Sequence, residues 1–154
     1  MTSLLRPQFN TAMKEALKNK DTVTLATVRL IIAALKDRDI AARGQGRDEG
    51  LDDAEISSML QTMVKQRKES IRMYLEGNRP ELAAREEAEI GVIERFMPKQ
   101  MTEAETAAAI DAAITETGAN CVKDMGKVMA IVKTRYAGTI DMGKAGQLVK
   151  DKLA

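Results

Sequence analysis

Histidine and tryptophan are absent from this chain, cysteine occurs once, and phenylalanine and tyrosine occur only twice each. Without imidazole, neither a Ser-His-Asp nor a Cys-His nucleophile can be assembled within one chain, and the usual thiolate and imidazole zinc sites are excluded as well. The single Cys121 leaves no internal disulfide, fits a reducing compartment, and reads as a small, half-buried residue. Long apolar runs are missing too. The most apolar stretch, LIIAAL from Leu30 to Leu35, is far too short to span a bilayer, and the opening MTSLLRPQFNTAMKEALKNK contains no apolar signal core. A soluble, cytoplasmic, untargeted protein with no membrane partner is expected. Nor is either sign of charge in excess: 24 Lys and Arg against 23 Asp and Glu leave +1, so a polyanion could be attracted only by a local patch.

What is present is 44% hydrophobic residues in 154, supplied mainly by Ala, Leu, Ile and ten Met. That mix suits helix packing better than sheet, and the length suits one ordinary domain or two small ones. An all-α fold is expected. Leu5, Phe9, Met13 and Leu17 recur every four residues and mark a first helix. Asp21 caps a second, with Val28, Ile31, Ile32 and Leu35 on one face. GQGRDEG, residues 44–50, combines three glycines with charges and no apolar residue, and predicts an exposed, mobile connection. A phosphate-cradling loop there would need Lys-Ser or Lys-Thr after the last glycine, where Leu51-Asp52 stands.

Asp52 or Asp53 caps a third helix through Ile56, Met59, Leu60, Met63 and Val64, which EGNRPEL stops. Pro80 opens a fourth, which Pro98 ends. Thr102 and Glu105 form a capping box for a fifth, and Gly118 is its stop. Two short helices follow. The chain therefore divides into an N-terminal four-helix domain, residues 1–97, and a small three-helix bundle, residues 98–154.

The carboxylate clusters Asp52 to Glu55 and Glu86 to Glu89 lack the partner pattern of a di-metal site and read as solvated faces. No catalytic residue, metal ligand or cofactor is expected. Lys65, Lys68 and Arg72 share a helix face that could meet phosphates, with Glu69 and Glu76 spaced to neutralise it instead. The last segment differs. From Cys121 onward Lys123, Lys127, Lys133, Arg135, Lys144, Lys150 and Lys152 stand against only Asp124, Asp141 and Asp151. Asp-Met-Gly-Lys occurs here twice, at Asp124 and at Asp141. If both aspartates are N-caps, Gly126 and Gly143 fall in first turns, where unpaired N–H groups and a nearby Lys suit an anion. The alternative is that these glycines permit close helix packing. Lys123, Gly126, Lys127, Lys133 and Lys144 are the candidate nucleic-acid-binding residues, with Lys65, Lys68 and Arg72 as a second basic face. With so few aromatics, phosphate and shape contact with folded RNA is the expected mode, rather than base reading.

Three blocks, VKQRKESIRMY from Val64, EEAEIGVIERFMPKQMTEAE from Glu86 and KDMGKVMAIVK from Lys123, together resemble the YqeY family over almost the whole chain. The C-terminal part is similar to the tail domain of GatB, the tRNA-recognising subunit of the glutamine-dependent amidotransferase. The resemblance implies a two-part helical fold and a carbon-nitrogen ligase label with glutamine as amido donor, although the catalytic parts of that enzyme lie outside the shared tail. Only Lys123 to Met129 matches the shared block, with Gly138 and Asp141 at the next turn. Gly143 and Gly146 replace longer side chains and weaken the last helix by up to roughly 1 kcal/mol each. The expected function is a non-catalytic module that binds transfer RNA or assists an amidotransferase or another translation-related protein. The alternatives are a protein-interaction module presenting Met59, Met63 and Met73, and a true amide-transfer enzyme. The first Asp-Met-Gly-Lys is read as functional and the second as structural.

Overall fold

A computed structural model of the chain describes residues 3–154, and the described residues form seven α-helices and no strand. The all-α expectation holds. In order, α1 is Leu5–Lys18, α2 Thr22–Gly44, α3 Asp53–Glu76, α4 Pro80–Glu94, α5 Glu103–Thr117, α6 Met125–Tyr136 and α7 Met142–Leu153, with a 3-10 turn, Val122–Asp124, leading into α6. Two compact units result, one ending at Met97 and the other Pro98–Ala154.

In the first unit, the inward stripes of the four helices meet around Val28, Ile31, Ile56, Leu60 and Ile93, all fully buried. Each such side chain contributes roughly 1.5–3 kcal/mol by leaving water. The chain's two phenylalanines, Phe9 of α1 and Phe96 just after α4, meet edge to face with ring centroids 5.0 Å apart. Local signals set the helix ends. Asp21 accepts from Thr24 N at the start of α2, and Asp52 with Glu55 forms a full capping box on α3. Asn78, at φ 57°, turns the chain out of α3, and Arg79 N then bonds Tyr74 O at 2.7 Å. At the start of α1 the Ser3 hydroxyl accepts Arg6 N at 3.2 Å. Asp53, from the start of α3, adds to it by accepting Leu4 N at 2.8 Å and the Ser3 hydroxyl.

Two sequence expectations fail in this unit. Met59 and Met63 lie in the core at 0% and 7% exposure, so of the three methionines read as a presented surface only Met73 is outside, at 60%. Met59 and Met63 belong to the buried cluster of this unit, which Met73 does not join. The connection 44–50 is exposed over most of its length but anchored at its far end. There the Asp39 carboxylate, on the buried face of α2, accepts from both terminal nitrogens of the Arg6 guanidinium at 2.8 Å and from Leu51 N at 2.9 Å. Gly50 is buried against it with φ 76°, and a Cβ at that position would lie 2.2 Å from Asp39 Oδ1. Only glycine fits both the conformation and the space. Arg47 also grips Glu55 through both of its terminal nitrogens, one at 2.7 Å, pinning the connection to the first turn of α3.

In the second unit α5, α6 and α7 close over Ile110, Val128, Val132, Ile140 and Val149. The Thr102–Glu105 capping box forms as expected, and Gly118 takes the left-handed conformation, φ 68°, that ends α5. Gln100 Nε2 and Met101 N bond Gly138 O and Thr139 O, both at 2.8 Å, tying the entry of α5 to the α6–α7 connection. At Gly146, a cost to helix propensity, an added Cβ would lie 3.7 and 3.8 Å from the methyl groups of Met125 and Met129, an ordinary contact distance that leaves room for alanine.

The Asp39 anchor can be tested by a double-mutant cycle in urea unfolding followed by far-UV circular dichroism. Asp39→Ala should cost about 3 kcal/mol, because it strands the Arg6 cation and the Leu51 amide. Gly50→Ala should be destabilising in the native chain and cost at least about 1 kcal/mol less in the Asp39→Ala background, where the clash is gone. Additive costs would contradict the contact. A second test uses pH. Arg47 holds the Glu55 carboxyl down from its ordinary 4.5 to about 2. A folded-state pKa below the unfolded one means this stabilisation is complete above pH 4.5 and fades as the pH falls toward 2. Glu55→Gln should therefore lower stability at neutral pH and flatten its loss on acidification, read from urea midpoints across that range.

Candidate functional site

The two copies of Asp-Met-Gly-Lys have different backbones. At Asp141 the phrase starts α7 as a cap: the carboxylate accepts Gly143 N at 3.0 Å and Lys144 N at 3.2 Å, and Asp141 O takes Ala145 N. The first-turn amides already have an anion, supplied by the chain itself. At Asp124 the expected side-chain cap is not made. Asn120 and Cys121 precede it in an extended approach and a 3-10 turn, so the carboxylate turns back to Asn120 N at 3.2 Å, with Cys121 Sγ 3.7 Å away. Met125 N bonds Val122 O rather than facing solvent. Cys121 is exposed, not half-buried, because this turn lies at the surface.

The candidate lysines themselves are all exposed. Lys123, in the 3-10 turn, and Lys127, in the first turn of α6, are both exposed, whereas Val128 and Val132 of α6 are buried. Lys133 lies about 120° round the axis of α6 from Lys127, and Lys144 belongs to α7, so the five residues do not form one tight cluster. Gly126 is exposed, and a Cβ there would meet nothing within 4 Å. Its role is therefore not close helix packing, and the backbone at the start of α6 is open to an incoming group.

Part of the positive excess of the last segment is cancelled from α5. Arg135 makes a two-pronged pair with Glu116, both bonds 2.6 Å, and Lys152 reaches Asp111 at 2.7 Å. Glu116 is pushed below its usual carboxylate range by the Arg135 hydrogen bonds. Lys123, Lys127, Lys133, Lys144 and Lys150 make no ion pair among the described residues. The second basic face is neutralised more fully. Arg72 is held by Glu69 and, at 2.8 Å, by Glu76, and Glu69 is lowered by the Arg72 hydrogen bond. Lys68 borders an open groove of about 630 Å³ between α3 and α4, over Ile71 and Ile90, together with Glu87 and Glu94. Two carboxylates to one ammonium make that groove unfavourable for phosphate. No group of His, Cys, Asp or Glu suited to a metal ion occurs among the described residues.

Against this geometry the chain matches the family model described as Yqey-like protein over residues 6–153. It belongs to the Yqey-like family. Among curated relatives, Altered inheritance of mitochondria protein 41, mitochondrial, of Lachancea thermotolerans is 33% identical over 106 residues, covering 68% of this chain and 54% of the relative. The protein of the same name from Saccharomyces cerevisiae is 31% identical over 85 residues, 55% of this chain and 44% of its own. The chain thus spans about half the length of the curated relatives it matches. Those relatives carry a mitochondrial name. In this member of the Yqey-like family, no helix among the described residues is long and apolar enough to cross a membrane.

Sequence reasoning missed the Asp39–Arg6 pair and the α5 partners of Arg135 and Lys152. The first had a signal: position 39 continues the buried series Val28, Ile31, Leu35, so a carboxylate there had to find a donor. The second had none, since Glu116 and Arg135 are far apart in sequence. Removing the two aspartates should separate their roles. Asp141→Ala is expected to cost about 1 kcal/mol and to speed amide exchange at Gly143 and Lys144, and Asp124→Ala should leave those two amides unchanged. Equal exchange at these amides in both variants would refute the difference.

Proposed function

We propose that the C-terminal unit, residues 98–154, binds folded RNA by phosphate contact, and that this Yqey-like protein is a binding module rather than an amide-transfer enzyme. Transfer RNA is the form implied by the similarity of the Lys123 to Met129 block to the amidotransferase tail. The observation that carries the reading is that Lys123, Lys127, Lys133, Lys144 and Lys150 stay exposed and make no ion pair among the described residues, while the remaining cations after Cys121 are paired to α5. Free ammonium groups spread over two helices suit a backbone of regularly spaced phosphates better than a single small anion. Open Gly126 lets a phosphate oxygen come near the start of α6. Tyr136 is half-buried, so no exposed aromatic competes for a base-stacking role in this unit. The lone cysteine fits a reducing compartment that holds transfer RNA, whether the cytoplasm or, as the relatives' names suggest, the mitochondrion.

The reading is tested by titrating the protein with total transfer RNA across a salt series, using the native chain and the variant with Lys123, Lys127 and Lys144 all changed to Glu. The native affinity should fall steeply with salt, and the triple change should weaken binding and reduce the slope by roughly three. Lys65→Glu with Lys68→Glu should leave both unchanged. Equal binding by the native and triple-changed chains, or affinity indifferent to salt, would sink the phosphate reading.

A further inference from the structure

Helix α2 has a second face that the core does not use. Val23, Leu30 and Ile40 point outward at 47%, 47% and 59% exposure, and Ala26 and Ala33, also exposed, lie between them. The spacing 23, 26, 30, 33, 37, 40 alternates three and four residues, which is the seam of a coiled coil, with Asp37 as its one polar member. Arg29, Lys36 and Arg43 repeat every seven residues beside that seam, each exposed. Arg29 and Lys36 make no ion pair among the described residues, and Arg43 donates only to the carbonyl of Asp48 at 3.4 Å. The opposite flank of the seam, at Thr27 and Ala34, turns toward the protein's own interior and has no charge.

From this we infer that the outward face of α2 docks an acidic amphipathic helix of a partner protein, seated in heptad register. The apolar seam gives the contact, and alanines at alternate positions let the two backbones approach closely. The row Arg29, Lys36, Arg43 selects a partner with Glu or Asp along the matching flank, and Asp37 selects a cation opposite it. A second copy of α2 fits poorly. Antiparallel pairing sets the basic row against itself, and parallel in-register pairing sets Asp37 against Asp37 with no acid to meet the arginines. A lipid surface fits poorly as well, because Asp37 sits inside the apolar stripe that would have to be immersed. The inference uses residues of the first unit only and is independent of the RNA reading.

The probe is a synthetic amphipathic peptide of about three heptads with Leu on its seam, Glu along its flank and Lys placed opposite Asp37. Its counterpart carries Lys for every flanking Glu. Binding to the full chain is followed by fluorescence anisotropy, with hydrogen exchange to locate the contact. The acidic peptide should bind at least roughly tenfold tighter than the basic one and slow amide exchange in the contacted helix α2 but not in α6. The variant with Arg29, Lys36 and Arg43 all changed to Glu, checked for native circular dichroism, should reverse that preference, and Leu30→Asp alone should weaken both peptides. The proposal is overturned if neither peptide saturates, if both bind alike, or if the charge-reversed variant keeps the acidic preference. It is equally overturned if sedimentation shows a dimer of the native chain that Leu30→Asp abolishes. Uptake of the native chain by phosphatidylserine vesicles, lost in the charge-reversed variant, without saturable peptide binding would assign the face to lipid instead.

Discussion

The carboxylate of Asp39 faces inward from α2 and has to be satisfied by donors brought from other segments. It finds the Arg6 guanidinium of α1 and the Leu51 amide at the end of the α2–α3 connection. Those three bonds join pieces of chain that hydrophobic packing alone would leave free to slide, since a burial force has no direction and a two-pronged guanidinium pair does. Arg6 also donates to Leu51 O at 2.9 Å, so the connection is held from both sides. Gly50 is the backbone that can approach this group. With the connection fixed, Asp52 starts α3 in place and Asp53 becomes available to hold the start of α1. One buried polar group thus positions the far end of the loop that looks least constrained in composition.

The C-terminal unit makes a different use of aspartate. Identical four-residue phrases behave differently because capping depends on the residue before the phrase as much as on the phrase. Ile140, fully buried, fixes the approach to Asp141 in an extended conformation from which the carboxylate reaches two first-turn amides. Before Asp124 the chain is already turning as a 3-10 helix, so the carboxylate has upstream donors instead. The consequence is electrostatic. The start of α7 carries its own anion, and Gly126 leaves the start of α6 open beside Lys123 and Lys127.

Charge in this protein is nearly balanced overall and unevenly satisfied locally. Glu116 and Asp111 of α5 take Arg135 and Lys152, Glu69 and Glu76 take Arg72, and Glu55 takes Arg47. Among the cations without an ion pair in the described residues are a set of lysines in the second unit and a row along α2 in the first. The RNA reading and the helix-docking reading draw on these two separate sets of cations, and they require different partners because the first set lacks an apolar seam and the second has one.

The all-α class, the seven helices, a cap for α3 at Asp52 or Asp53, the capping box at Thr102 and the glycine stop at Gly118 followed from local periodicity and backbone chemistry. Such features depend on residues within a turn or two of one another and are written in consecutive letters. The candidate lysines were likewise visible as a local excess. Which of them remain unpaired was not, because Glu116 and Asp111 reach Arg135 and Lys152 only when α5 packs against α6 and α7. The burial of Met59 and Met63, the exposure of Cys121, the anchoring of Gly50 by Asp39 and the divergence of the two Asp-Met-Gly-Lys starts have the same origin. Each rests on a contact between segments distant in the chain or on the approach direction of the backbone, and those are fixed by packing, to which residue order along a single helix is blind.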